Sequence, residues 1–270
     1  VDNNNYEILN TNFYGNFSIS SNMLKTSFDK KSIDQSDSFD NMKENLKIIS
    51  LRLINQKGIN NIEFDAQGYP IGFSQNSQEV LVPAFISAYT GNNANSVGLN
   101  PISDKPKINW SIQYDGLSEG LKDIFSRISL RHSYRSNFTI NNFQSNLNYS
   151  ENSFNSVGDY ESKIFFSNIN LVEQFNPLIR VDLELKNSLR LSFDVIKDRA
   201  VSLSLANNLI TESWGDEYSI GIGYRARNLK LWSRFASNGN RFIGDLNTKL
   251  DFNIRKNMTV IRNLNIDDNK

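Results

Sequence analysis

From Pro177 to Arg227 the chain alternates apolar and polar residues, and few folds accommodate that pattern. Ile179, Val181, Leu183 and Leu185 alternate with Arg180, Asp182, Glu184 and Lys186. Leu189, Leu191, Phe193 and Val195 then alternate with Ser188, Arg190, Ser192 and Asp194, and Val201, Leu203 and Leu205 follow. After a break, Tyr218, Ile220, Ile222 and Tyr224 do the same. Strict period two sends every second side chain to the same side, which specifies β-strands with one apolar and one polar face. Taking Lys186-Asn187-Ser188 as a three-residue hairpin loop sets Leu185 opposite Leu189, Leu183 opposite Leu191 and Val181 opposite Phe193. The same register sets Glu184 against Arg190, Asp182 against Ser192 and Arg180 against Asp194. Two opposite-charge pairs result, each worth ~0.2–1 kcal/mol. A slip of one residue would mix the faces throughout. Periodicity does not say whether the apolar face meets a protein core or lipid.

With 270 residues the chain suffices for one large all-β domain or two small ones. Lysine plus arginine and aspartate plus glutamate both number 29, so no global field draws in nucleic acid. The absence of cysteine excludes disulfides and thiolate chemistry. No run approaches the roughly 18–20 apolar residues of a membrane-spanning helix. A membrane β-barrel, however, alternates apolar-out with polar-in, so a mean hydropathy of −0.46 is compatible with one. The chain starts Val1-Asp2-Asn3-Asn4, with neither signal peptide nor initiator methionine, and reads as a processed or excised piece.

In chain order, Phe13, Gly15, Phe17 and Ile19 share a parity and predict a strand over Tyr14–Ser20. Phe39, Met42, Leu46, Ile49 and Leu53 recur at three- and four-residue steps, which predicts a short amphipathic helix capped by Ser38, with Gly58 as a stop. Residues 58–107 hold four of the five prolines and read as a long irregular loop, a functional insert, plug or cap, in which EVLVPAFISAYTG alone has packing potential. The main strand region is 108–264. It opens with Ile108, Trp110, Ile112 and Tyr114, then a short helical piece SEGLKDIFS, then alternation through Ile128, Leu130, His132, Tyr134, Phe138 and Ile140. Asn- and Ser-rich loop runs to about Ser162, and Ile164–Leu171 is a weak strand. Beyond the central hairpins, Leu229–Phe235 is a strand ended by Ser-Asn-Gly-Asn. Leu246–Ile254 is another, with a turn at Lys256-Asn257 and a return through Met258–Leu264. The total is roughly nine to eleven strands in one region, several near the ~9–11 residues that cross a membrane at a tilt.

Catalytic signatures are scarce. Gly221-Ile-Gly223-Tyr-Arg-Ala226 has the letters of a dinucleotide fingerprint, but its glycines alternate with Ile220, Ile222 and Tyr224 inside a strand, where no helix N-terminus can meet a pyrophosphate. Asp182 and Glu184 share a face, as paired glycosidic carboxylates do, yet Arg180, Lys186 and Arg190 compensate them. His132 is the one histidine, which removes most metal sites and histidine triads. No cofactor or catalytic residue is expected. Trp110, Tyr114, Tyr134, Trp214, Tyr218 and Tyr224 at strand ends fit interfacial girdles of a membrane barrel or the cap of a soluble core.

Several stretches, GYPIGFSQNSQEVLVPAFISAYTG (68–91), PKINWSIQYDGLSE (106–119), LRHSYRSNFTINNFQSNLNY (130–149), PLIRVDLELKNSLRLSFDVIKDRAVSLSLANNLITE (177–212), EYSIGIGYR (217–225) and LDFNIRKNMTVIR (250–262), resemble the C-terminal part of the SprA/Sov family, the outer-membrane translocon of the type IX secretion system, which is linked to gliding motility. NFSISSNMLKT (16–26) fits less specifically. The resemblance implies a very large antiparallel transmembrane β-barrel, in the ~36-strand class, that passes folded cargo proteins. It further implies a plug protein and a smaller outer-membrane barrel as partners, and a bacterial outer membrane as the location. This chain would be one segment of the barrel wall, too few strands to close it, and would need the remainder of the translocon barrel to cover its edges. On that reading Ile179, Val181, Leu183, Leu185, Leu189, Leu191, Phe193 and Val195 face lipid, and Arg180, Asp182, Glu184, Lys186, Arg190 and Asp194 face the lumen. Another outer-membrane β-barrel transporter and a soluble β-sandwich adhesion or binding module are the alternatives.

Overall fold

Long antiparallel strands form one open sheet, with two helices lying on part of one face. The computed structural model describes residues 11–103, 105–232 and 241–265. The elements are β1 (Tyr14–Ser20), α1 (Asp37–Gln56), α2 (Gln78–Thr90), β2 (Trp110–Tyr114), β3 (Phe125–Ser145), β4 (Ile164–Phe165), β5 (Asn168–Leu185), β6 (Leu189–Ser204), β7 (Leu209–Trp232) and β8 (Arg241–Asn263). The sheet order is β1-β3-β5-β6-β7-β8, with β2 and β4 also on β3, and every pairing is antiparallel. Among the described residues β8 pairs only with β7, so the sheet is not closed.

The central hairpin forms as the alternation dictates. Leu183 pairs with Leu191, Val181 with Phe193, Glu184 with Arg190 and Arg180 with Asp194. Ser188 takes the left-handed conformation the three-residue loop requires, at φ 68°, and its N–H donates to Leu185 O at 3.0 Å.

Elsewhere the strands are fewer and longer than expected, eight in the described residues rather than nine to eleven. Residues 218–224 and 229–232 belong to the 24-residue β7, which pairs along its length with the 23-residue β8. No turn occurs at Lys256-Asn257. Those residues pair with Asp216 and Gly215 in mid-strand, because a partner of matching length satisfies their backbone groups. The Ser-Asn-Gly-Asn stop lies outside the described residues. Ile164–Leu171 is split between β4 and the start of β5, and β5 runs on through Pro177, with the ladder irregular between Phe175 and Ile179. SEGLKDIFS makes only a short 3-10 turn at Gly116–Glu119, and its Phe125 opens β3.

The helix α1 has 20 residues and is capped by Ser36, whose Oγ accepts from Phe39 N at 3.3 Å. Ser38 is instead a buried residue inside the first turn. Asp37 and Asp40 complement the positive end of its dipole. The supposed irregular insert contains α2, whose residues Val80 to Thr90 are all buried. A helix buried on every side carries no 3.6-residue stripe, so its sequence reads as an apolar run. Both helices pack on one half of the sheet, over Phe138, Ile140, Ile169, Leu171, Val201, Leu203 and Ile210, and this is the hydrophobic core.

Candidate functional site

The informative feature is the half of the sheet that the helices leave uncovered. Direct cross-strand partners share a face, so the registers define rows of side chains. Leu130, Val181, Phe193, Ile220 and Phe252 form one row across β3, β5, β6, β7 and β8, and Tyr114 of β2 extends it. Beside it run Ile128, Leu183, Leu191, Ile222 and Leu250 on one side, and Ile179, Val195, Tyr218 and Ile254 on the other. Leu189 and Tyr224 close the band at the hairpin end. From Val195 to Leu189 the band spans six residues, roughly 20 Å along the strand. It is bare on β7 and β8, where Phe252 is 62% exposed, Ile220 52% and Ile254 74%, and closes over toward β3, where Ile128 is 5% exposed.

The opposite face is polar along the same strands. Arg180 lays Nε 2.9 Å from Asp182 Oδ2 and reaches Asp194 at 3.5 Å. Arg190 meets Glu184 at 3.3 Å, and Lys249 meets Asp251 at 2.9 Å. Arg255 of β8 reaches over Gly215 to Asp198 of β6 at 2.6 Å, and also binds Glu217 at 3.0 Å. Gly221 lies between Ser192 and Asp251, and Gly223 between Arg190 and Lys249. Glycines here keep the lanes between charged rows open, which is the role the failed fingerprint has in this strand. The face is hollowed into a depression of about 520 Å³ bordered by Arg127, Arg131, Arg180, Asp182, Glu184 and Arg190. Paired, half-exposed charges like these contribute little stability each, ~0–1 kcal/mol, and the rim of the depression is net cationic, with Arg127, Arg131, Arg180, Arg190, Arg225 and Lys249 against Asp182 and Glu184.

The residues predicted for the two faces therefore separate as the alternation requires, with two departures. Lys186 lies in the hairpin loop, with its backbone N–H on Ile124 O, and belongs to neither face. Val195 is on the apolar face but only 7% exposed, where the band meets the covered half.

Aromatic residues mark the band's borders. Toward the helices, Trp110 stacks on Tyr134 with centroids 4.6 Å apart, Tyr134 meets Phe175 at 5.0 Å, and Phe28 meets Phe175 at 5.7 Å. Trp214 and Tyr218 continue this border on β7, and Tyr224 stands at the other border. His132 lies within the aromatic group, its Nδ1 2.6 Å from Leu178 O.

Sequence reasoning missed a second set of residues, which fastens the helical layer. Glu173, Arg199, Glu212 and Arg262 occupy apolar-parity positions in their strands and are buried. Glu212 accepts from Ser36 Oγ at 2.8 Å, Tyr89 OH at 2.7 Å and Arg262 Nε at 2.8 Å. Arg262 also donates to Ser32 O at 2.7 Å. Glu173 accepts from Ser27 Oγ at 2.6 Å and Tyr134 OH at 3.0 Å, while Arg199 donates to Thr26 O at 2.9 Å. The strap 21–36, between β1 and α1, is thus held to the sheet through its own backbone carbonyls. The available signal was the break in alternation, a charge where an apolar residue was due. Lys31 on the strap lies 5.9 Å over the Trp214 ring, and burial, then Arg199 and Lys197, push its ammonium below the usual lysine range. Among the described residues no helix is long and apolar enough to cross a membrane, and no cluster of three or more His, Asp or Glu could hold a metal ion. The sequence matches no family model and no curated protein.

Proposed function

We propose that this chain is a wall segment of an outer-membrane β-barrel, and that the barrel is a protein-conducting translocon of the SprA/Sov kind, serving type IX secretion and gliding motility. The bare apolar band carries the reading. Rows of aliphatic and aromatic side chains, exposed on β7 and β8, bordered by Trp and Tyr and backed by a charged face, are the surface a barrel wall presents to a bilayer. A soluble sandwich would place a second sheet over that band, about 10 Å away. Among the described residues nothing covers it on β7 and β8.

In this reading Ile179, Val181, Leu183, Leu185, Leu189, Leu191, Phe193 and Val195 look toward lipid. Arg180, Asp182, Glu184, Arg190 and Asp194 line the lumen. A wet wall of largely paired charges with a modest cationic excess holds no single protein surface tightly, which suits passage of varied folded cargo. The remaining barrel strands would pair with the open edge of β8. A plug protein and a smaller outer-membrane barrel complete the assembly by family resemblance.

The test is twofold. After carbonate extraction the protein should stay in the membrane pellet, and recovery in the soluble fraction would remove the barrel reading. Retention of secreted folded proteins on the purified complex separates a protein-conducting pore from a small-solute transporter, which would co-purify with none.

A further inference from the structure

The helices and the bare band lie on the same face of the sheet. On β6, Leu191, Phe193, Val195, Lys197, Arg199, Val201 and Leu203 all have one parity, and the β6–β7 ladder runs without a register shift from Leu189 to Ser204. Val201 and Leu203 lie under the helices, and Leu191 and Phe193 in the band. A continuous strand cannot exchange its faces without an inserted residue. If the band faces lipid, the helical layer stands outside the barrel wall and not within the lumen as a plug.

The row where the two halves meet has a mixed composition. Phe175, Lys197, Asp216 and Lys256 are direct partners across four strands. The next row is Ile179, Val195, Tyr218 and Ile254, already part of the band. Over this boundary the strap presents Phe28, 64% exposed against Phe175, and Lys31, above Trp214. Lys197 is neutralised by Asp216 at 2.6 Å, whereas Lys31 and Lys256 are in no ion pair among the described residues. Aromatic rings and unpaired lysines at the end of an apolar band match the headgroup level of a bilayer, where rings sit at the polar–apolar boundary and ammonium groups meet phosphates.

We propose that the strap and the two helices form an external ledge resting on the membrane surface, with Phe28 in the headgroup layer and Lys31 and Lys256 on lipid phosphates. The proposal rests on the lipid-facing reading of the band, to which it adds a partner and a depth. Continuity with the band and the charge of the two lysines commit the surface to phospholipid headgroups.

The absence of native cysteine makes the test direct. A fluorophore is attached to Phe28→Cys, Lys256→Cys, Phe252→Cys or Glu44→Cys in the full chain, assembled with the strands that complete its barrel and reconstituted in phosphatidylcholine–phosphatidylglycerol vesicles. Quenching by nitroxides on the lipid headgroup or deep in the acyl chain is then compared. The expected pattern is acyl-chain quenching at 252, headgroup quenching at 28 and 256, and neither at 44 on the outer surface of α1. Quenching at 252 with none at 28 and 256 overturns the ledge and leaves the barrel wall standing. Absence of quenching at 252 removes the lipid-facing reading and the ledge with it. Lys256→Gln, on an exposed side chain, should weaken headgroup association in anionic vesicles roughly fivefold and leave neutral vesicles unchanged.

Discussion

Arg262 of β8 reaches diagonally to Glu212 of β7, where Nε and Oε2 lie 2.8 Å apart with both residues almost fully buried. The pair joins the sheet to the helical layer at three points, two on the strap and one on α2. Ser36 and Tyr89 donate to Glu212, and Arg262 holds the carbonyl of Ser32. Apolar packing under α1 and α2 supplies attraction without direction, and these bonds fix where the layer sits.

Glu212→Gln keeps the shape and the acceptor but leaves a buried guanidinium without its counter-charge. A loss of about 3–5 kcal/mol is expected. It should be seen as a lower denaturant midpoint for the helical circular dichroism and as new protease cleavage in the strap. Ser36→Ala removes the cap of α1 and should cost a smaller ~1–2 kcal/mol. Equal, small effects of both changes would show that the pair does not anchor the layer.

Leu183→Arg places a charge within the apolar band and should disfavour membrane assembly by roughly 2–4 kcal/mol. Glu184→Gln, one residue along and on the polar face, removes only a half-exposed pair with Arg190 and should cost under about 1 kcal/mol. Heat-modifiable migration of membrane-assembled protein reads both. Similar tolerance of the two changes would contradict the assignment of faces.

Gly215 leaves the lane through which Arg255 reaches Asp198. A Cβ there would stand 2.7 Å from Arg255 Nη2 and 2.8 Å from Asn257 Oδ1. These are the tips of flexible, half-exposed side chains, so Gly215→Ala should cost no more than the ion pair it displaces, under about 1 kcal/mol. Asp198→Ala together with Arg255→Ala leaves only Asn257 beside the new methyl, and in that background the same glycine change should cost less, a coupling measurable by a double-mutant cycle.

Burial, then the nearby Glu212 carboxylate that accepts its hydrogen bond, raises the Tyr89 phenol well above its ordinary value. The folded state thus holds this proton at pH values where the unfolded chain has lost it. The stabilisation is fully present below about pH 10 and declines as pH rises further, toward the folded value. Alkaline titration should detach the helical layer before the central hairpin melts. Tyr89→Phe should lower stability at neutral pH and flatten the alkaline decline, and an unchanged alkaline profile in that variant would exclude Tyr89 as its source.

The hairpin of β5 and β6 could be read from the sequence residue by residue, down to the Glu184–Arg190 and Arg180–Asp194 pairs. Alternation and loop length are local, and a wrong register would place charges among aliphatic side chains. The apolar stripe of α1 and the strand over Tyr14–Ser20 were legible for the same reason. The segregation of two faces followed from parity alone. Tertiary structure decided the rest. The helix α2 is buried on all sides, so nothing periodic announced it, and the turn expected at Lys256-Asn257 vanished because β7 offered a partner of matching length. Glu173, Arg199, Glu212 and Arg262 looked like faults in the alternation until the strap supplied the carbonyls and hydroxyls that satisfy them. Alternation specified that the sheet has an apolar face. Which half of that face is covered by helices and which half lies bare depends on contacts between residues more than a hundred positions apart, and no local period encodes them.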